Sequence, residues 1–164
     1  MTFFSRYASP LGELVLTGSE AGLTGLYFTI HRSVPFRCQD TWRHDERRFH
    51  RVREQLAAYF AGELTEFDLP LAPQGTMFQR HIWNALRSIP YGETLTYGVL
   101  AQRLGNPNAA RAVGAANGHN PISIIIPCHR LIGTNGALTG YAGGIENKRK
   151  LLLLEAEVTA RRKR

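Results

Sequence analysis

The sequence has few cysteines and no long apolar segment. Among its 164 residues are two cysteines, Cys38 and Cys128, too few for a disulfide framework or for a zinc site made of cysteines alone. No apolar run approaches the roughly 20 residues that a membrane helix needs, and the first residues lack the basic and apolar segments of a secretion signal. We therefore expect a protein of the reducing cytoplasm that makes no contact with a membrane.

Acidic residues are scarce in the second half of the chain. Residues 1–72 carry 8 Lys and Arg against 9 Asp and Glu, whereas residues 73–164 carry 12 against 4, and the net charge is +7. Four of the basic residues form the run 161–164, which we expect to be frayed. The remaining positive charge makes the second half a candidate for binding a polyanion. A basic surface that only favours solubility is the alternative.

The first half predicts a small unit of strands and one helix. With 43% hydrophobic residues the chain has enough apolar surface for a core. Short strands are predicted over 2–8, 13–17 and 23–30, followed by a loop over 31–44. Apolar residues at three- and four-residue steps then predict a helix from Asp45 that stops at Gly62.

The boundary between two domains is predicted from composition. Residues 68–75 contain two prolines and a glycine with little charge, which is typical of a linker. This gives an α/β domain over 1–72 and a second domain over 73–164. The second domain opens with Thr76 and Gln79, the spacing of a capping box, ahead of a helix that ends at the Pro90 turn.

Two short helices joined by a tight turn follow. Thr96 is placed to cap a helix that stops at Gly105, and a second helix is predicted over 108–117, closed by Gly118. This is the helix-turn-helix pattern. The second helix has unusually small side chains, which suit close packing against another helix or a nucleic-acid groove. Farther on, Asn135 and Gly136 predict a hairpin turn before a last helix.

Cys128 is the candidate nucleophile. It follows an isoleucine-rich run and Pro127 and precedes His129 and Arg130. A free thiol has a pKa of about 8.5, and neighbouring cationic or proton-accepting groups favour the thiolate. On a continuing strand Cys128 and His129 would point to opposite faces, but the proline indicates a bend, where His129 could act directly or through one water. An inert buried cysteine beside a surface histidine is the alternative.

The surrounding motifs carry a family resemblance. Pro-Cys-His-Arg at 127–130, preceded by Gly-His-Asn-Pro at 118–121 and the isoleucine run, resembles the active-site signature of the O6-alkylguanine-DNA alkyltransferases. The resemblance is strong over residues 75–156 and weaker before them, where residues 59–63 resemble the end of the family's first-domain helix. It implies a ribonuclease H-like α/β first domain and a mostly helical second domain of the winged helix-turn-helix type.

The resemblance also implies a chemistry. Members of the family flip an alkylated guanine out of DNA and move the alkyl group irreversibly to their own cysteine. By position, Cys128 would be the nucleophile and alkyl acceptor, and His129 would take its proton through a water. Glu155 would orient the histidine and stabilise its charge, and Asn120 would hold the loop of Cys128 by hydrogen bonds. A nucleophile, a base and an orienting group together follow the usual logic of activation.

The DNA contacts are implied in the same way. Tyr97 would rotate the target nucleotide and offer the departing base a proton, and Arg111 would fill the vacated place in the base stack. The small residues that let the second helix enter the minor groove would be Ala109, Ala110 and Gly114. From the residues alone, Tyr97 could equally be a core aromatic and Arg111 a phosphate contact. The implied partner is double-stranded DNA containing O6-alkylguanine.

The resemblance also implies a pocket for the flipped base. Tyr141, with the main chain of Leu131 and Ala142, would line the pocket. Some relatives hold zinc in the first domain, but Cys38 and the nearby histidines show no four-ligand spacing, so we predict no metal and no cofactor. We expect a monomer. The sequence does not determine cooperative assembly on DNA, activity on O4-alkylthymine, or the range of alkyl groups.

Two other classes of protein are compatible with parts of the sequence. A related group binds alkylated DNA without repairing it, but that group lacks the nucleophilic cysteine. A cysteine hydrolase would use Cys128 and His129, but it would leave the helix-turn-helix and the basic second half unexplained.

Overall fold

The first sheet is built from consecutive strands joined by tight turns. The computed structural model describes residues 1–163. Its first three strands are β1 (Phe3–Ser9), β2 (Gly12–Ser19) and β3 (Gly22–Phe28), which pair antiparallel in sequence order. A register shift between Thr17 and Gly18 bends the middle strand. The buried residues of these strands form one side of the core.

The loop predicted over 31–44 contains three short strands. The third strand ends at Phe28 and not at Ile30, because a small hairpin begins there: β4 (Ile30–His31) and β5 (Val34–Pro35). Its two turn residues, Arg32 and Ser33, both take positive φ, of 56° and 63°. Turns of this kind normally use Asn and Gly, so the sequence contained no signal for the hairpin. β6 (Arg43–His44) adds to the sheet parallel to the first strand.

The predicted helix of the first half is present but begins with a 3-10 turn. Residues Glu46–Phe49 form that turn, and α1 (His50–Phe60) continues from it. Its buried face packs toward the sheet, and the buried residues are Phe49, Val52, Leu56 and Tyr59. The helix ends as predicted before Gly62, whose φ of 77° suits glycine.

The predicted linker is fixed to the edge of the sheet. Leu23 donates its N–H to the carbonyl of Pro70, and its own carbonyl accepts from the N–H of Ala72. Leu69 is buried. Irregular backbone that satisfies its polar groups on a strand edge has no periodic sequence signal, and for this reason composition alone indicated a free linker.

The second half contains the predicted helix pair. α2 (Met77–Leu86) starts with the predicted capping box and ends four residues before Pro90. Then follow β7 (Leu95–Thr96), α3 (Tyr97–Arg103), a 3-10 turn over Pro107–Ala109, and α4 (Ala110–Gly118). The side chain of Thr96 caps α3 by accepting from the N–H of Val99. The predicted helix-turn-helix is therefore confirmed.

The last part of the chain carries a 3-10 turn, a short strand and a long helix. The turn spans Cys128–Arg130, and β8 (Leu131–Ile132) pairs parallel with β7. Asn135 and Gly136 take positive φ as a tight turn requires, but within residues 1–163 no strand follows them, so the hairpin prediction was wrong. α5 (Ile145–Arg162) ends the described chain. Fraying was wrongly predicted for Arg161 and Arg162, and Arg164 lies outside the described residues.

One hydrophobic core joins the two halves. Leu26 of β3 donates its N–H to the carbonyl of Pro121 and accepts from the N–H of Ser123. In the second half, the indole N–H of Trp83 in α2 reaches the carbonyl of Ala116 in α4. The predicted fold class, an α+β first part followed by a helical second part with a helix-turn-helix, is confirmed. Within residues 1–163, no helix is both long and apolar enough to span a bilayer.

The capping box of α2 gives a test of local stability. Thr76 Oγ1 accepts from the N–H of Gln79, whose side chain accepts from the N–H of Thr76, at 3.0 Å each. We expect Thr76→Ala to lower the free energy of unfolding by about 1 kcal/mol, measured by chemical denaturation. Thr41→Ala, at an exposed position, is the matched control. Equal stability of the two variants would show that the cap contributes nothing.

Candidate active site

Cys128 lies at a sharp bend beneath the protein surface. Pro127 precedes it with φ −79° and ψ 62°, and Cys128 then opens the 3-10 turn instead of continuing a strand. Its N–H donates to the carbonyl of Ile126 over 2.7 Å. Only 2% of the residue is exposed. The bend brings consecutive side chains out of the opposed arrangement that a strand would impose.

The chain before Cys128 is held by the side chain of Asn120. Its Nδ2 donates to the carbonyl of Ile126 over 2.8 Å, and its Oδ1 accepts from the N–H of Ile122 over 3.0 Å. Between them Ile124 adopts a φ of 73°, in a three-residue turn closed by the N–H of Ile125. A β-branched residue in this region is strained. Asn120 therefore fixes a strained loop, in the place that the sequence assigned to it.

His129 is paired with Glu155. Its Nε2 lies 2.6 Å from Oε2 of the carboxylate, and both side chains are buried. An ionised carboxylate only accepts, so this contact assigns the proton of the neutral ring to Nε2. Nδ1 is buried without a hydrogen-bond partner among residues 1–163. This leaves Nδ1 as the ring nitrogen that is available as a base.

Glu155 accepts hydrogen bonds from several segments of the chain. Oε1 accepts from Arg130 Nε over 2.8 Å and from the N–H of Gly92 over 3.2 Å. Oε2 accepts from Arg130 Nη2 over 3.1 Å and from the hydroxyl of Tyr59 over 2.6 Å, besides His129. Burial would raise the pKa of Glu155, but the hydrogen bond from His129, together with the hydrogen bonds and positive charge of Arg130, lowers that pKa well below its usual range.

The protonation states of the cysteine and the histidine follow from their burial. Burial raises the pKa of the Cys128 thiol to about 11, and the nearby Asn120 and Lys148 offset this only in part. The neighbouring groups favour the thiolate, as expected, but burial outweighs them and the resting group is a thiol. Burial lowers the pKa of His129 more than Glu155 raises it. At neutral pH the site holds a thiol beside an unprotonated imidazole, the arrangement of a nucleophile that ionises only when its base acts.

Two of the predicted pocket residues, Tyr141 and Ala142, line the same cavity, which lies against the first sheet and the start of α5 and not against the cysteine loop. Tyr141 is buried edge-on against Phe28, with 5.7 Å between ring centroids. With Ala142 it lines a cavity of about 420 Å³ between the start of the first sheet and the chain before α5. The carbonyl of Leu131 accepts from the ammonium of Lys148 over 2.6 Å. That carbonyl is therefore engaged within the protein.

The predicted DNA-contacting residues lie on the helix pair. Tyr97, at the start of α3, is half-buried, and its hydroxyl lies 3.1 Å from Oγ1 of Thr139. Arg111 is exposed on α4. A Cβ at Gly114 would lie 3.5 Å from the ring of Tyr97, so the small residue at this position also serves the packing of the two helices. Ala109 and Ala110 are half-buried beside it.

Cys38 is separate from this site. It lies in the first half, half-buried, with Arg6 Nη2 3.9 Å from its sulfur. Across residues 1–163, no three side chains of His, Cys, Asp or Glu are grouped so that they could share a metal ion.

Three residues of the site were not assigned from the sequence. Arg130 was quoted as part of the motif without a role, yet it holds both oxygens of Glu155. Lys148 donates to the carbonyls of Leu131 and Thr139. Tyr59, in the first half of the chain, donates its hydroxyl to Glu155. Arg130 could have been found from its place beside the histidine. The other two depend on contacts between distant segments and have no local signal.

The fold and the site define a protein in which a helix-turn-helix is joined to a buried cysteine with a histidine–glutamate pair. Two family profiles match the chain: "6-O-methylguanine DNA methyltransferase, ribonuclease-like domain" over residues 3–73, and "6-O-methylguanine DNA methyltransferase, DNA binding domain" over residues 77–157. The methylated-DNA–protein-cysteine methyltransferase of Methanosarcina acetivorans is 52% identical over 153 residues, which are 93% of this chain and 97% of that protein. The chain belongs to the methylated-DNA–protein-cysteine methyltransferase family.

Solved structures agree with this assignment. The crystal structure of Mycobacterium tuberculosis OGT in complex with DNA has a TM-score of 0.88 and 51% identity, covering 95% of this chain and 94% of that chain. The O6-methylguanine-DNA methyltransferase of Pyrococcus kodakaraensis has a TM-score of 0.54 at 21% identity, covering 94% and 99%. The second likeness concerns the fold alone.

The pairing of Glu155 predicts a pH-dependent stability. In Glu155→Gln the cation of Arg130 and the ring of His129 lose a buried charged partner, so unfolding should require about 3 to 5 kcal/mol less at neutral pH. Because the pKa of Glu155 is lowered by folding, its contribution is complete above the unfolded value of about 4.3 and declines as the pH falls below it. The difference in free energy of unfolding between Glu155→Gln and the unmodified protein should therefore be smaller at about pH 3 than at neutral pH.

This prediction is measured by guanidinium unfolding at both pH values. Glu157→Gln, at an exposed position on the same helix, is the control and should change little. A difference of the same size at both pH values would contradict the assignment of a lowered pKa to Glu155.

Proposed function

We propose that this chain repairs DNA by moving an alkyl group from O6 of guanine to Sγ of Cys128, once per molecule. As a member of its family the chain is a DNA-repair methyltransferase. The observation that carries the assignment to Cys128 is its burial beside a neutral histidine whose Nε2 is held by Glu155. Nδ1 then remains for the thiol proton.

The reaction balances with the residues present. His129 Nδ1 takes the proton of Cys128 through a water, and the thiolate forms a bond to the alkyl carbon as that carbon's bond to O6 breaks. The departing guanine takes a proton from Tyr97 and leaves as the normal base, and the proton held by His129 returns to Tyr97 through water. Glu155 stabilises the imidazolium in the interval. Because the product is a thioether, which has no easy route to hydrolysis, the cysteine is not regenerated.

The helix pair is the proposed DNA-binding element. A relative with 51% identity and the same fold has been crystallised in complex with DNA. Arg111 is exposed on α4 and free to enter the base stack, and Tyr97 lies at the start of α3 next to the pocket chain. We infer that α4 enters the minor groove through the small residues Ala109, Ala110 and Gly114, and that the target base is flipped into the pocket.

The pocket is the proposed place of the flipped base. Tyr141 and Ala142 line the neighbouring cavity, and we infer that guanine lies against Tyr141 and the main chain near Ala142. The contact assigned to the main chain of Leu131 falls to its carbonyl, which accepts from Lys148 and has a second lone pair, since its N–H donates to the carbonyl of Cys128. The proposal extends to O4-alkylthymine as a second substrate and to a reaction that uses no cofactor or metal. It also includes a protein that is monomeric by itself and assembles cooperatively on DNA.

The proposed domains meet between residues 72 and 73. The two family profiles end and begin at residues 73 and 77, which supports this boundary. The cytoplasmic location expected from the sequence stays a prediction.

Mass spectrometry after mixing with a methylated oligonucleotide separates this function from its alternatives. A stable gain of one methyl supports repair by transfer. Binding without covalent change would indicate a protein that only recognises alkylated DNA, and repeated turnover without stable modification would indicate a cysteine hydrolase.

Replacement of the nucleophile should abolish transfer. A serine hydroxyl is scarcely ionised at neutral pH and is a poorer nucleophile toward saturated carbon, so Cys128→Ser should bind O6-methylguanine duplex but accept no methyl. Cys38→Ser is the matched control and should transfer normally. The measurement is a titration of protein against duplex with peptide mapping of the added mass. Multiple turnovers, or methyl on Cys38, would overturn the assignment.

Replacing the residues that flip the base should slow the repair of duplex DNA more than the reaction with the free base. Arg111→Ala and Tyr97→Ala should slow single-turnover repair of duplex by at least about tenfold, because unstacking costs a few kcal/mol. With free O6-alkylguanine the rate of Arg111→Ala should change much less, whereas Tyr97→Ala should lose rate there too, because Tyr97 also offers a proton to the base. Arg149→Ala, an exposed arginine on α5, should leave both rates unchanged. Equal losses on both substrates in Arg111→Ala would assign Arg111 to the chemical step.

A further inference from the structure

A tyrosine of the first half reaches the carboxylate that orients the histidine. Tyr59 is fully buried near the end of α1, and its hydroxyl donates to Glu155 Oε2 over 2.6 Å across 96 positions of sequence. His129 Nε2 meets the same oxygen at the same distance. We propose that Tyr59 is a positioning residue for alkyl transfer, which sets how strongly Glu155 holds the proton of His129. This inference rests on the proposed role of His129 as the base.

The two donors share one oxygen, and this makes them competitors. Each hydrogen bond withdraws negative charge from Oε2, so a strong bond from Tyr59 leaves less charge to stabilise an imidazolium at His129. Arg130 holds both oxygens, and Gly92 holds Oε1 from the other side, so the carboxylate cannot turn away from Tyr59 without losing these bonds. The competition is therefore built into a fixed geometry.

Tyr59 acts as a donor under all working conditions. Burial, and then the charge of Glu155, raise the pKa of the Tyr59 hydroxyl well above its usual value. Glu155 is ionised, since its pKa is lowered well below its usual range. The direction of the hydrogen bond is therefore fixed from hydroxyl to carboxylate. Its strength does not change through titration of either partner near neutral pH.

Other charged and titratable groups surround this pair. The 3-10 turn contributes His129 and Arg130, α5 contributes Lys148 behind the histidine, and the segment before α3 contributes Tyr91. The ring of Tyr91 lies 6.1 Å from that of Tyr59, and its buried hydroxyl has no hydrogen-bond partner within the described chain. The two tyrosines thus offer a matched comparison, since both lie near Glu155 but only Tyr59 bonds to it.

The first test is the pH dependence of single-turnover transfer from O6-methylguanine duplex, from about pH 5 to about pH 9. Without the hydroxyl, in Tyr59→Phe, Oε2 keeps more charge and favours the imidazolium. Only the neutral ring accepts the thiol proton. The transfer rate falls at low pH as His129 becomes protonated, and this acid limb should move to higher pH by on the order of half a unit. On the acid side of the limb the rate should be about threefold lower than in the unmodified protein. Tyr91→Phe should leave the limb in place.

A second readout does not depend on activity. The proton shared between His129 Nε2 and Glu155 in so short a bond should give a far-downfield proton resonance in the unreacted full-length protein, without DNA. We expect this resonance to shift in Tyr59→Phe and to stay in place in Tyr91→Phe. If the unmodified protein transferred no methyl, the proposed function would fail while this shift still supported the contact of Tyr59 with the pair.

A purely structural role of Tyr59 would give a different result. A structural role alone would lower the rate by the same factor at every pH, through a smaller folded fraction. A rate loss of this kind in Tyr59→Phe, with an unmoved limb and an unmoved resonance, would overturn the proposal.

Discussion

The buried carboxylate of Glu155 is the constraint on which the rest of the site depends. An ionised carboxylate removed from water is strongly unfavourable unless each of its oxygens is bonded. Here the donors come from α1, from the turn before β7, and from the two residues that follow the cysteine. Three separate segments must therefore take their native positions together for this charge to be accommodated. The two halves of the chain are therefore joined by the hydrogen bond between Tyr59 and Glu155 as well as by apolar packing.

Burial and charge act in opposite directions at the cysteine, and burial prevails. Lys148 and Asn120 both favour the thiolate, but desolvation raises the pKa of Cys128 to about 11. Lys148 is itself desolvated, and burial lowers its pKa to about 8, so that it keeps most of its charge at neutral pH. A resting thiol in such a place is a poor general nucleophile. On the proposed mechanism this favours selectivity, since the thiol becomes a strong nucleophile only as His129 takes its proton.

Local signals in the sequence predicted the elements that depend on local physics. Thr76 and Thr96 cap their helices as their spacing indicates. Cys128 lies in a turn, as the proline before it indicates, although the isoleucine run ahead of that proline already forms a turn. The hairpin at Arg32 and Ser33 could not be predicted in this way. The N–H of Arg32 donates to the carbonyl of Ala142, 110 residues later, and such a tertiary contact can impose positive φ where no glycine marks it. The bond of Tyr59 to the site is equally non-local.

Resemblance, and not local pattern, identified Glu155 and Asn120 in the sequence, because a helix glutamate and a loop asparagine have no role that their spacing from the cysteine alone predicts. The structure supplies the physical reason for Asn120. The residue at φ 73°, Ile124, costs on the order of 1 to 3 kcal/mol, and a loop left to itself would relax. Burial of Ile122, Ile124 and Ile126 in the core and the two bonds of Asn120 offset that cost. The geometry around Cys128 is thus maintained by the stability of the core.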